Sequence, residues 1–312
     1  MTFSEINNAI QALTKLNNVE TSVIGYSVLG KPIYAFHIGS YDAPQIIVEG
    51  GIHAREWIST LLVIELVKYY STLQFDGGIY FVPLVNPDGV ELALDGADNI
   101  QDQNLKEFLI EVNGGSQDFS QWKANINAVD LNVNFDALWG GGAQNVFQPS
   151  PANFVGYSPN SEPEVNALIN LTQQVNPVLT LSFHSKGEVI YYGFETLSPQ
   201  QIERDRLIAN RIAELNGYMP IQTQNSTGGY PDWISLNYQV PAFTIEVGNA
   251  SINHPITEQY LPSIFLKNKE VPLLALQIVQ EETTQTNSLA SMFEMPDMHF
   301  EKNFKEKYFL KP

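Results

Sequence analysis

The chain is expected to form a single α/β domain: a twisted, mixed and largely parallel sheet flanked by helices on both faces. Three observations predict it. Four short β-branched or aromatic-rich runs alternate with helical patterns, the runs are apolar throughout, and each leads at once into polar residues of the kind enzymes use. Strands without polar alternation are buried on both faces, as in a sheet covered by helices. No internal repeat or linker divides residues 1–312, so one domain is expected, with its core over about 20–280 and a tail without clear period over 285–312.

The first helix is expected over 4–16, where Ile6, Ile10, Leu13 and Leu16 recur at helical spacing behind Ser4 as N-cap. Ser22–Gly39 reads as two strands turned at Gly30-Lys31-Pro32. Ile46-Ile47-Val48 runs into Gly50-Gly51-Ile52-His53, and Trp57–Tyr70 follows as a helix with a wide apolar face of Leu61, Leu62, Ile64, Leu66 and Val67. The run from Ile79 to Val85 leads into Asn86-Pro87-Asp88-Gly89. Ser161 and Glu164 have capping-box spacing around Pro163, opening a helix to about Val175. Val178–Phe183 ends at His184, Ile202–Leu215 is helical up to Asn216-Gly217, and Ala242–Ile245 ends at Glu246. A last helix is expected near Val271–Glu281. Ligands of open α/β sheets sit beyond the carboxyl ends of the strands, and all four polar clusters fall at that edge.

Composition narrows the partners. With 34 acidic against 16 basic residues and a net charge of −18, there is no basic stripe on which nucleic acid could release counterions. Nucleic acid and anionic membrane surfaces are therefore not expected partners. No apolar stretch approaches a membrane span, and the opening Met1-Thr2-Phe3-Ser4-Glu5 lacks the pattern of a secretion signal, so a cytoplasmic location is expected. The absence of cysteine excludes disulfides, thiolate metal sites and cysteine nucleophiles. An anionic substrate has few cations to meet it, and the four arginines are Arg55, Arg204, Arg206 and Arg211.

His53-Ala54-Arg55-Glu56 places an imidazole and a carboxylate three residues apart at a strand-to-helix junction, where both can converge on one ion. Zinc in hydrolases takes three ligands of this type and keeps a position open. His184, at the end of a different strand, is the candidate third ligand. A lone H-x-x-E arises often by chance, and a lone strand-end histidine is usually structural. Weight comes from their joint occurrence at equivalent strand ends. His37, His254 and His299 have no such setting and are read as structural.

His53-Ala54-Arg55-Glu56-Trp57, Asn86-Pro87-Asp88-Gly89, Val129-Asp130-Leu131-Asn132, Phe183-His184-Ser185, Gly228-Gly229-Tyr230-Pro231-Asp232-Trp233 and Phe243-Thr244-Ile245-Glu246 resemble, in order, the signatures of zinc carboxypeptidases. The resemblance covers about residues 20–280. It implies one zinc ion held by His53, Glu56 and His184, with Glu246 as general base passing a proton to the leaving amine. It also implies that Arg55 stabilises the tetrahedral oxyanion and that Asp130 orients the His53 ring.

The pattern departs from true carboxypeptidases at informative places. They read Asn-Arg-Asn where this chain has Asn132-Val133-Asn134, and that arginine clamps the terminal carboxylate of a peptide. Gln224 replaces a tyrosine four residues before the Gly pair, and Trp122-Lys123 stands where Trp-Arg is usual. Trp122-Lys123-Ala124-Asn125 and His184-Ser185-Lys186-Gly187-Glu188 are most similar to bacterial γ-D-glutamyl-diaminopimelate endopeptidases, which cut stem peptides of the cell wall. A peptide or muropeptide substrate is the expectation, with Lys123, Asn132, Ser185, Lys186 and Tyr230 as substrate contacts. Two other readings stand beside it. One is an ordinary carboxypeptidase that reads the terminal carboxylate with Lys123 or Lys186, and the other is a catalytically inactive peptide-binding relative.

Overall fold

A computed structural model describes residues 1–281, so His299 and the tail over 285–312 lie outside the described residues. Eight strands form one sheet: β1 (Glu20–Tyr26), β2 (Pro32–Gly39), β3 (Gln45–Gly50), β4 (Gly78–Val82), β5 (Leu179–His184), β6 (Val189–Tyr192), β7 (Met219–Gln222) and β8 (Ala242–Glu246). Their order is β1-β2-β4-β3-β5-β8-β6-β7. The centre, β4-β3-β5-β8, is parallel throughout, while β2 and β6 join it antiparallel. The mixed, largely parallel sheet expected from the apolar runs is therefore present, and the four central strands end at one edge.

Helices α1 (Phe3–Leu13), α2 (Trp57–Tyr70), α3 (Pro87–Asp95), α4 (Gln103–Val112), α5 (Pro163–Val175), α6 (Pro199–Asn216), α7 (Tyr230–Tyr238) and α8 (Leu261–Asn268) are joined by a further helical stretch over 271–281. Strand periodicity assigns the two layers. Ile46, Val48, Leu181, Phe183, Phe243 and Ile245 pack under α1, α2, α6 and α8. Ile47 and Ala242 face α5 and α7 through Val165, Leu168, Tyr230 and Trp233. Helix α2 lies deepest, with 11 of its 14 residues buried, so its apolar surface wraps further round than one face.

The second layer has a polar upper half. Glu49, Ser182, His184, Thr244 and Glu246 share the face of Ile47 and Ala242 by alternation, and Glu49 pairs with Ser182 while His184 pairs with Glu246. An apolar floor thus passes into a polar ceiling along the same strands.

Some helix starts differ from expectation. Thr2, not Ser4, caps α1, in a capping box with Glu5. Ser161 and Glu164 do not form one. Ser161 donates to Glu162 Oε1 at 2.7 Å, and Glu164 accepts instead from Val28 N and Asn125 Nδ2, both at 3.2 Å, tying α5 to two loops. The α6 box uses Ser198 and Gln201, four residues before the apolar period begins, and the helix ends as expected at left-handed Gly217.

Burial pushes the Glu164 carboxyl up to about 7. Its folded value thus exceeds its ordinary one, so its contribution to stability is complete below about pH 4.5 and is lost as pH rises through about 7. Glu164→Gln should remove this dependence. Between pH 5 and pH 8 the variant is expected to gain on wild type by up to about 3 kcal/mol, read from paired denaturant melts. A difference that does not change with pH would refute it.

Candidate active site

Each group at the sheet edge is placed by a local device. After β3 the chain turns at Gly51, whose φ of 66° and whose close approach to Thr60 Oγ1, where a Cβ would collide, both require glycine. Gly51 N–H donates to Ser59 Oγ at 2.9 Å, which fixes the turn to α2. His53 then begins a short 3-10 turn over Ala54–Glu56 that delivers Glu56 to the start of α2. His184 and Glu246 are the last residues of adjacent parallel strands.

The imidazole Nδ1 atoms of His53 and His184 lie 3.0 Å apart. Glu56 presents Oε1 to the first at 3.1 Å and Oε2 to the second at 3.2 Å. All three side chains are buried, and among the described residues they form a group that could hold a metal ion. Ligand atoms in a tetrahedral zinc site with bonds of about 2.1 Å stand about 3.4 Å apart, so the spacing and the His/Glu donor set fit zinc. Without a cation, two facing imidazoles and a buried carboxylate must share protons. Accordingly Glu56 is held well below the usual carboxylate range, burial opposing but His53 and His184 prevailing.

On the His53 side a carboxylate stands behind the group. Asp130 Oδ1 lies 3.2 Å from His53 Nε2, and its Oδ2 lies 2.8 Å from Lys123 Nζ. Backbone N–H groups of Asn132 and Asn153 donate to the same carboxylate at 3.2 and 3.0 Å. Although burial pushes it up, Lys123 and His53 hold Asp130 far below its ordinary value. Asp130 is thus an anion that can fix the His53 ring.

A cleft of about 610 Å³ opens beside the group, lined among others by His53, His184, Glu246, Lys123, Asn132 and Val133. Glu246 faces the metal group from β8, its carboxyl pushed up to about 8 by burial and by Glu56 against the opposing charges of His184, Lys123 and Arg55. Arg55 stands on the 3-10 turn with Nη1 at 3.5 Å from the Gln121 carbonyl. Gln224 also lines the cleft, whereas among the described lining residues there is no arginine.

Three expected substrate contacts are turned away from the cleft wall. Tyr230 is fully buried, its hydroxyl 2.7 Å from that of Thr172, because it is a packing residue between α7 and α5. Lys186 spends its ammonium on the carbonyls of Ala250, at 2.8 Å, and Ile252, pinning the loop after β8. Ser185 is buried, and its backbone N–H donates to Glu56 Oε2 at 3.0 Å, so it supports a metal-group residue. Asn132 does line the cleft, with its Oδ1 accepting from Tyr230 N–H at 3.0 Å. Two further groups escaped the sequence reading. Asn153 gave no signal because it reaches Asp130 through its backbone, while Glu49 did give one, as a carboxylate ending an apolar strand.

A parallel sheet carrying His, Glu and His at its carboxyl edge, with a facing carboxylate across a cleft, defines a zinc peptidase of the carboxypeptidase kind. The model of the family described as zinc carboxypeptidase matches residues 6–270, and the chain belongs to that family. It is 36% identical over 273 residues to γ-D-glutamyl-L-diamino acid endopeptidase 1 of Lysinibacillus sphaericus, covering 82% of this chain and 67% of that protein. Carboxypeptidase A1 of Sus scrofa is more distant, at 27% over 239 residues, 72% of this chain and 52% of the relative. In structure, bovine thrombin-activatable fibrinolysis inhibitor aligns with a TM-score of 0.71 at 22% identity, over 90% of this chain and 98% of that one. Among the described residues no helix is long and apolar enough to cross a membrane.

Proposed function

We propose that this chain hydrolyses an amide bond in bacterial cell-wall stem peptides, that between γ-D-glutamate and a diamino acid such as diaminopimelate. The observation that carries the reading is Val133 in the cleft wall. Recognition of a free peptide terminus calls for a bidentate cation, and valine offers no donor there. Gln224 in the same wall and the tie of Lys123 to Asp130 leave no arginine and no unpaired lysine among the described lining residues to clamp a terminal carboxylate. The endopeptidase relative supports the same substrate class.

In this reading His53, Glu56 and His184 hold one zinc ion, which supplies polarisation of the scissile carbonyl and lowers the pKa of water to about 7. Glu246 takes the proton of the attacking water and returns it to the departing amine. Arg55 offsets the charge that develops on the carbonyl oxygen, and Asp130 keeps the proton of His53 on Nε2, leaving Nδ1 free to ligate.

The test is a panel of defined substrates resolved by mass. L-Ala-γ-D-Glu-diaminopimelate peptides should be cut at the γ-linkage, and plain L-peptides should release their last residue at least about a hundredfold more slowly, as expected where one buried bidentate ion pair is missing. Efficient stepwise trimming of L-peptides would instead establish an ordinary carboxypeptidase.

A further inference from the structure

The two histidines of the metal group are supported unequally. Both direct Nδ1 inward, and among the described residues neither Nε2 makes a well-formed hydrogen bond. His53 Nε2 nevertheless has the Asp130 carboxylate beside it at 3.2 Å, whereas His184 Nε2, equally buried, is in no ion pair with a carboxylate through that nitrogen. An imidazole that gives one nitrogen to a metal carries its proton on the other, and that N–H requires an acceptor.

The acceptor lies beneath it on the same sheet face. Ser182 precedes His184 by two residues on β5 and pairs in register with Glu49 on β3. Neighbouring strands lie about 4.8 Å apart and residues two positions apart on one strand about 6.6 Å, within the combined reach of these side chains. Glu49 is wholly buried, and among the described residues neither its two oxygens nor the Ser182 hydroxyl makes a well-formed hydrogen bond. Burial pushes the Glu49 carboxyl up, and the influences that oppose this most are His184 and the Ser182 hydroxyl. A buried carboxylate is costly unless something needs its charge, and an apolar residue in its place would serve the core better.

We propose that Glu49 is a positioning residue for the metal site: the Nε2–H of His184 donates to Ser182 Oγ, and the Ser182 hydroxyl donates to the Glu49 carboxylate. Donors and acceptors then close. Each metal-binding histidine has its own carboxylate, direct for His53 and relayed for His184. The inference rests on His184 being a zinc ligand, as in the function proposed above.

The test measures metal binding as well as turnover. In Glu49→Gln and in Ser182→Ala, zinc affinity measured against a chromophoric chelator is expected to fall about ten- to a hundredfold. The double variant should fall no further than the worse single one, because both changes break one relay. The visible spectrum of the cobalt-substituted protein should shift in each. A merely structural Glu49 predicts the reverse: Glu49→Gln would leave zinc affinity and spectrum unchanged while the zinc-free protein melts at the same or a higher temperature. Affinities within twofold of wild type in both single variants would overturn the proposal. Ser182→Ala removes one oxygen and keeps the test decisive if Glu49→Gln does not fold. Wild-type protein that binds no zinc would instead overturn the assignment of the metal group, so the two failures are distinguishable.

Discussion

Replacing Glu246 with glutamine is expected to lower kcat by about 10²–10⁴ while one zinc per chain remains bound, since a positioned general base contributes a factor of that size. Glutamine keeps the shape and loses the proton acceptor. Glu246 is not in the group of His53, Glu56 and His184, so metal content separates a loss of the base from a loss of the site. The pH profile has a definite sign. Burial and then Glu56 push the Glu246 carboxyl up to about 8, so at low pH it is protonated and cannot accept. Activity should therefore rise with pH along an acid limb, and positive charge in the site moves that limb below 8. The variant should lack the limb. Equal inactivity of wild type and variant with zinc bound would favour the binding-protein alternative over the enzyme.

What was legible in the sequence follows from what each element depends on. The central strands Ile46–Gly50 and Leu179–His184 could be read because burial on both faces writes itself as an unbroken apolar run. The places of His53, His184 and Glu246 were legible because each follows or ends such a run, where topology alone places ligands, and Glu56 came with His53 through the three-residue spacing. Helix α3 was missed as a helix although its Asn86 cap and Pro87 were noticed, because a nine-residue helix leaves little periodicity to detect.

The failures concern side chains whose partners are remote in sequence. Tyr230 adjoins the Gly228-Gly229 turn, where Gly228 takes φ 82° and a Cβ would stand 2.7 Å from the Val133 carbonyl. That packing explains the motif, yet the tyrosine points to Thr172 and not to the cleft. Lys186 likewise follows His184 by two residues, and its partners on the loop after β8 are more than sixty positions away. Neighbourhood along the chain predicted the backbone place of both residues correctly and said nothing of where their polar ends would be satisfied.

Removal of the metal gives the second large effect. Prolonged treatment with a strong chelator should abolish hydrolysis, lower the melting temperature, and allow recovery of both when one equivalent of zinc is returned. The zinc-free site explains how this depends on pH. His53 is raised above its ordinary value: burial and Lys123 lower it, but Glu56 and Asp130 raise it more. In the absence of the cation His53 thus holds its proton to higher pH than an ordinary histidine does, which stabilises the buried Glu56 carboxylate. Zinc must displace that proton, because only a neutral imidazole ligates. Below the titration of His53, each unit fall in pH should weaken apparent zinc affinity by about tenfold, and calorimetry in buffers of different ionisation enthalpy should register proton release that approaches about one per zinc in the same range. Affinity independent of pH between 5.5 and 8 would show that His53 is not among the ligands, and full activity after exhaustive chelation would exclude zinc from the reaction. Asp130 faces the far nitrogen of the ring at 3.2 Å and is paired with Lys123 at 2.8 Å, so it stays in place as an anion while the proton of the metal-facing nitrogen leaves.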